Sequence, residues 1–300
     1  MDWDDGRLFL AIARSGQLLA AARTLGLSQA TLSRRMTRFE RAVGTRLLIR
    51  RANGTSLTDA GQALARSLER VESEFQETRS ALAGEHASLA GSVRIGAPDG
   101  FGIQFLSPSL VDLADEHPEL NVQLVPVPRT FSMSKREADI AVMVGRPERG
   151  PLVVRKLTDY SLSLYAAKSY FERRPEPASP GDLSAHRLIG YVEDLIYSPA
   201  LDYTSEFWRG WQSDIEISSA AGQFQSVLSG AGIAVLHDFL ATGHPGLMPV
   251  LPELRVTRSY WVVFHESLKE NARVRACADF LTRAVRSSPT PFLRPLLEIS

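Results

Sequence analysis

The sequence predicts a mainly α N-terminal head of winged helix-turn-helix form, a linker helix, and a C-terminal α/β body in two lobes. Three observations carry this. A short alanine-rich helix meets a capped amphipathic helix across a glycine turn near the N-terminus. Apolar residues then recur at heptad spacing over 64–82. Beyond residue 90, short apolar strands alternate with helical stretches. The expected boundaries are 1–58 for the head, 59–86 for a linker and dimerisation helix, 92–290 for the body and 291–300 for a tail. Within the body, lobe 1 is expected at about 92–160 and 267–290, and lobe 2 at about 161–266.

Length and composition agree with this division. The 300 residues suggest two or three domains, at about 100–200 residues each. With 44% hydrophobic and 23% charged residues, a mostly disordered chain is excluded. The single cysteine, Cys277, has no partner for an internal disulfide, and no Cys/His cluster suggests a zinc site, so no metal is expected. The acidic start MDWDDGRLF is unlike a secretory signal. No 18-residue apolar run is present, so neither a transmembrane helix nor a membrane partner is expected. A cytoplasmic location follows as the expectation.

Charge is balanced overall, at 34 basic and 34 acidic residues, but not locally. Residues 1–62 hold ten arginines, no lysine and five acids, a net of +5. Residues 63–88 carry −2 and the remainder −3. A compact basic head on a slightly acidic body implies a polyanionic partner for the head.

The head reads in order. Residues 7–14 place Leu8, Phe9 and Ile12 on one helical face, and 18–25 form a second helix whose alanines allow close approach. Gly26 and Leu27 make a tight connection, and Ser28 is suited to N-cap a third helix. In that helix Leu32, Met36, Phe39 and Val43 recur at core spacing, while Gln29, Ala30, Ser33, Arg34, Thr37, Arg38 and Arg41 lie opposite. This is the helix-turn-helix pattern, whose second helix enters the major groove of double-stranded DNA. Asn53-Gly54 between two short runs signals a hairpin, the wing, with Arg50 and Arg51 leading into its tip. The candidate DNA contacts are therefore Ser28, Gln29, Ala30, Thr31, Ser33, Arg34, Arg35, Arg38, Arg50 and Arg51.

Thr58 and Asp59 are placed to start the linker helix. Leu64, Leu68, Val71, Phe75 and Leu82, with Thr78 between the last two, form a heptad seam for a homodimer. Two heads would then read a two-fold site.

The first 61 residues resemble the DNA-binding end of LysR-type transcriptional regulators. The resemblance runs through Phe9, Ala13, Gly16, Ala21-Ala22, Leu25, Ser28-Gln29-Ala30, Leu32-Ser33, Glu40, Gly44, Leu47-Leu48, Arg50, Leu57-Thr58 and Ala60-Gly61. Gln17 and Leu48 depart from the usual serine and phenylalanine at their positions. The resemblance implies that Gln29, Ala30, Ser33 and Arg34 face the major groove. It also implies a homotetramer, autoregulation, sites with a T-N11-A-like core and an effector-binding domain of periplasmic-binding-protein type; a ligand-driven change in head spacing would make RNA polymerase a further candidate contact.

The body has strands at 92–97, 121–127, 138–144, 152–157 and 161–167, then near 187–192, 214–218, 233–236 and 256–265. Helices are expected at 103–116, 221–229 and 271–286, and the order suggests a parallel, doubly wound sheet. Ligands in such sheets sit beyond the carboxyl ends of strands, often at helix N-termini. That selects Asp99, Gly100, Phe101, Thr130, Phe131, Ser132, Glu193, Gln223 and Phe224 as candidates for an unidentified small-molecule effector. The family often has Ser or Thr where Asp99 stands, positioned to meet an effector carboxylate. Asp99, Glu193 and Asp194 therefore leave a neutral, cationic or aromatic ligand as open as an acid.

No GxGxxG loop, P-loop or GxSxG elbow is present, so neither an enzyme nor a cofactor is expected, and no catalytic residue is assigned. The expected function is sequence-specific transcription regulation under a small-molecule effector bound between two lobes. The alternative is a solute-binding protein or enzyme whose head only oligomerises. A third reading senses redox state, through Cys277, or pH.

Overall fold

The computed structural model describes residues 2–51, 54–82, 89–129, 137–148 and 150–294. The chain divides into two compact units between Ser92 and Val93.

The first unit opens with α1 (Trp3–Ser15), α2 (Leu18–Thr24) and α3 (Gln29–Val43). Helix α1 starts four residues earlier than its apolar pattern alone suggests. The Asp2 carboxylate accepts from the Asp4 N–H, and Asp4 and Asp5 lie in the first turn, where the helix dipole favours them. Gly26, at φ +66°, supplies the left-handed turn before α3. The Ser28 hydroxyl then accepts from the Thr31 N–H at 3.1 Å. Leu8, Phe9 and Ile12 meet Ala21 and Ala22 of α2 and Leu32, Met36 and Phe39 of α3 in one core.

The wing pairs β1 (Leu48–Arg51) with β2 (Gly54–Leu57), Leu48 opposite Leu57; Asn53 at its tip lies outside the described residues. The Glu40 carboxylate anchors it, accepting from the Leu47 and Leu48 N–H groups at 2.7 and 3.0 Å. Helix α4 (Asp59–Leu82) follows. Thr58 Oγ1 accepts from the Gly61 N–H and donates to the Arg46 carbonyl. Only glycine fits at 61, because a Cβ there would stand 2.1 Å from the Leu47 carbonyl oxygen.

The second unit is built on β3 (Gly91–Ala97), α5 (Ser107–Glu116), β4 (Leu120–Pro126), β5 (Ile140–Val144), β6 (Leu152–Ala167), β7 (Leu188–Gly190) and β8 (Ile215–Glu216). Then come α6 (Ala220–Leu228), β9 (Ile233–His237), β10 (Leu247–His265) and α7 (Ala272–Arg286). The strands form one sheet in the order β4-β3-β5-β10-β6-β9-β7-β8. It is mixed, which corrects the expectation of an all-parallel sheet. The β3–β5, β7–β8 and β7–β9 pairs are parallel, but β10 runs antiparallel to β5 and β6.

Two further corrections explain why. The strands expected at 152–157 and 161–167 are one strand of 16 residues. Asp159 does not break it, because its carboxylate takes an ion pair from Lys156 at 2.7 Å and a hydrogen bond from Ser259 at 2.5 Å. Likewise β10 begins nine residues before 256; Pro249 and Pro252 disguise it, and the register shift between Val250 and Arg255 accommodates them. These two long strands run through both lobes. Lobe 1 gathers β3, β4 and β5 on one end, and lobe 2 gathers β7, β8 and β9 on the other.

The helix expected at 103–116 starts at Asp99 and passes through a π-helical segment, Gly102–Leu106. Helix α7 returns to lobe 1, where Arg283 pairs with Glu116 at 2.5 Å. The tail is built in as far as Arg294. Phe292 is buried against Phe105 and Phe239, and its carbonyl accepts from the Ser161 N–H at 3.0 Å.

Candidate functional site

Helix α3 turns its apolar side into the head. Gln29, Ala30, Arg34, Thr37, Arg38 and Arg41 are exposed, while Thr31 and Ser33 are half-buried. Ser28 is exposed and engaged as the cap. Arg34 makes no ion pair among the described residues and projects from a well-anchored helix. Arg50 and Arg51 lie on β1, and their side chains fall outside the described residues.

Arg35 behaves differently. Its guanidinium reaches Asp4 at 2.6 Å and Asp5 at 2.6 Å, and its Nε donates to Asp5 at 2.7 Å. Asp5 is buried, and Arg38 adds a contact to its second oxygen at 3.2 Å while staying largely exposed. Hydrogen bonds from Arg35 and then Arg7 hold the Asp4 carboxyl below its ordinary range, and Asp4 in turn raises Arg35. Arg35 thus clamps α3 to α1. Arg34, one residue earlier and a third of a turn away, faces outward.

The heptad residues divide along α4. Leu68 is buried and Leu64 half-buried in the head's own core, with Leu68 against Gly6. Val71 is 41% and Phe75 64% exposed, Phe75 stacking one face on Trp3 at 5.6 Å. Leu82 ends the helix, with its side chain outside the described residues. The outer part of the seam thus keeps two exposed apolar residues, Val71 and Phe75, among the described residues.

In the second unit, Asp99 crosses from the end of β3 to lobe 2. Its Oδ2 accepts from the Ser219 hydroxyl at 2.6 Å and the Ala221 N–H at 3.1 Å. Gly100 is buried beside Ala220 and His237, and Phe101 packs on Tyr260 with ring centroids 4.8 Å apart. Gln223 is buried and donates to the Ile217 carbonyl, and Phe224 lies in the lobe 2 core. Glu193 is exposed on a one-turn helix. Thr130, Phe131 and Ser132 lie outside the described residues.

Beside this contact is a cavity of about 510 Å³. Pro98, Arg129, Val142–Glu148 and Tyr197–Ala200 line it. Arg129 pairs with Glu137 at 2.7 Å, and Arg146 lies over the Trp261 ring. None of the nine effector candidates named from sequence is among these lining residues; Pro98 and Arg129 are the immediate chain neighbours of Asp99 and Thr130. The turn after β5 and Ser198–Ala200 were missed. The strand-end rule that selects the ends of β3 and β4 applies equally to β5, so that signal was present.

Tyr160, Tyr260 and His237 stack in a buried group, with Tyr160 and Tyr260 centroids 4.1 Å apart. Burial raises both tyrosine hydroxyls well above the usual phenol range. Burial lowers His237 to about 4, against the opposing pull of Asp99 and Asp238. Cys277 is fully buried and burial pushes its thiol up to about 12, which suits a packing group and not a redox-sensing thiolate. Among the described residues no group of three or more His, Cys, Asp or Glu is placed to hold a metal ion. No described helix is long and apolar enough to cross a membrane.

Two family matches cover most of the chain: bacterial regulatory helix-turn-helix protein, lysR family, over residues 3–62, and LysR substrate binding domain over residues 86–286. The chain is 27% identical over 292 residues to the HTH-type transcriptional activator TtdR of Escherichia coli (strain K12), covering 92% of this chain and 91% of the relative. It is 28% identical over 291 residues to the Mau operon transcriptional activator of Paracoccus denitrificans, covering 95% and 98%. The solved structure of CrgA, a LysR-type transcriptional regulator from Neisseria meningitidis, shares the fold with a TM-score of 0.59 and 23% identity, covering 94% of this chain and 98% of that one.

His237 gives the second unit a pH signature. Its imidazole is neutral when buried and charges readily only when unfolded. Its stabilising contribution is complete above the ordinary histidine pKa of about 6.5 and is lost as pH falls toward the folded value near 4, about 3 kcal/mol in all. Urea midpoints taken between about pH 7 and 4 are expected to fall less steeply in His237→Gln than in the parent. Parallel curves would show that His237 does not carry the effect.

Proposed function

Because the chain belongs to the LysR family of bacterial transcription regulators, we propose that α3 is its reading helix and that the cavity between its lobes is its effector site. It is a transcription regulator with a DNA-binding helix-turn-helix and an effector-binding domain, and not an enzyme. Relatives aligned over more than nine-tenths of both chains are named transcriptional activators, so a solute-binding protein or enzyme with an oligomerising head is not favoured.

The observation that carries the reading is the split of α3 into a buried apolar face and an exposed face of Gln29, Ala30, Arg34, Arg38 and Arg41. Gln29, Ser33 and Arg34 read base edges in the major groove, with Ala30 allowing close approach. Arg38, Arg41 and the wing arginines Arg50 and Arg51 neutralise phosphates. Ser28 and Thr31 set the start of the helix against the backbone. Arg35 acts as the clamp that fixes its angle. Two chains join through Val71, Phe75 and the distal part of α4, and dimers pair into a homotetramer in the cytoplasm. A small effector in the cleft, beside Pro98, Arg146, Tyr197 and Ser198, biases one arrangement of lobes, and about 1–3 kcal/mol of coupling suffices to shift head spacing or polymerase contact.

Arg34→Ala is expected to lower affinity for a genomic operator fragment roughly 5–150-fold, the equivalent of one bidentate base contact, and to change random-sequence binding much less. Equal losses in a paired anisotropy titration would reduce Arg34 to a phosphate contact. Val71→Glu combined with Phe75→Glu is expected to move the sedimentation profile toward monomer with the head still folded. An unchanged profile would remove α4 from the interface.

A further inference from the structure

The first turn of α6 is an anion-binding end that the chain itself fills. Ser219 caps the helix by accepting from the Gly222 N–H, and its hydroxyl donates across the cleft to Asp99. The Ala221 N–H points at the same carboxylate oxygen. Asp99 is only 4% exposed, and no basic side chain pairs with it among the described residues. A buried carboxylate without a cation is costly unless its hydrogen bonds are met. Here two donors and the positive end of a helix meet it. The backbone is pressed equally close: a Cβ on Gly100 would stand 3.0 Å from the Ala220 Cβ and 3.5 Å from the His237 ring. Asp99 Oδ1 makes no hydrogen bond to another described residue.

A carboxylate ligand of the cleft would make these same contacts with this helix end. We propose that Asp99 is an internal carboxylate that holds the two lobes together without a ligand and bars acidic effectors from the α6 end of the cleft. The basic residues that line the cavity are Arg129, which pairs with Glu137, and Arg146. This deepens the reading of the cavity as the effector site and rests on it.

Chemical rescue tests the proposal on the full chain. Asp99→Ala is expected to lower Tm by roughly 5–10 °C. Acetate is expected to restore part of that loss, while acetamide and chloride at matched concentration and ionic strength do not. The parent is expected to show no acetate-specific rise. A rise of equal size in the parent, no rescue, or rescue by acetamide as well would overturn the assignment. Should Asp99→Ala fail to fold, a cycle of Asp99→Asn with Ser219→Ala decides. Ser219→Ala is expected to cost less in the Asp99→Asn background than in the parent, and strictly additive losses would overturn the cross-lobe link. These readouts are of the protein alone. Failure of the effector-site reading would instead appear as cavity variants, such as Tyr197→Ala, that leave effector-dependent promoter binding unchanged.

Discussion

The orientation of α3 depends on a buried carboxylate at the start of the chain. Asp5 lies under the guanidinium of Arg35, with Asp4 and Arg38 completing the group. Below it, Phe9 and Phe39 pack with centroids 6.1 Å apart. The apolar core alone would leave the helix free to slide or roll, because hydrophobic contact is not directional. The ion-paired fork is directional. It sets which side of α3 faces outward. It also uses up one arginine, so the outward face carries less unpaired positive charge than the head's +5 suggests.

The second unit repeats the device. Asp99 joins a strand end in one lobe to a helix start in the other. Asp238 accepts from Ser163 and Tyr165 and ties the end of β9 to β6. Asp139 accepts the Arg94 N–H beside β3. In each case a short acidic side chain satisfies donors that would otherwise be stranded on burial. Between these ties run β6 and β10, the continuous strands that let two lobes share one sheet and still leave a cavity beside their strand ends.

Much of this was legible from sequence because it rests on local rules. Leu32, Met36 and Phe39 announced the buried face of α3 by spacing, Ser28 announced its cap, and Asn53-Gly54 announced the hairpin. The losses have one physical source, which is pairing between residues far apart in the chain. Nothing local to Asp159 shows that Lys156 and Ser259 hold it inside a strand, and nothing local to Pro249 shows that β10 bulges around it. Leu64 and Leu68 fit a heptad as well as they fit an intramolecular core, because spacing does not say whose surface is covered. Arg35 looked like its neighbour Arg34 until Asp5 was placed beneath it. Asp99 was recognised as unusual from sequence, but its role required the far helix.

The central claim is that the outward face of α3, with the wing, holds duplex DNA by neutralising phosphates. Equilibrium binding of the full chain to an operator fragment over a series of salt concentrations tests it most directly. With Arg38, Arg41, Arg50 and Arg51 engaged from each of two heads, the logarithm of the binding constant is expected to fall linearly with the logarithm of salt, with a slope of about −7. A slope near zero would contradict the account.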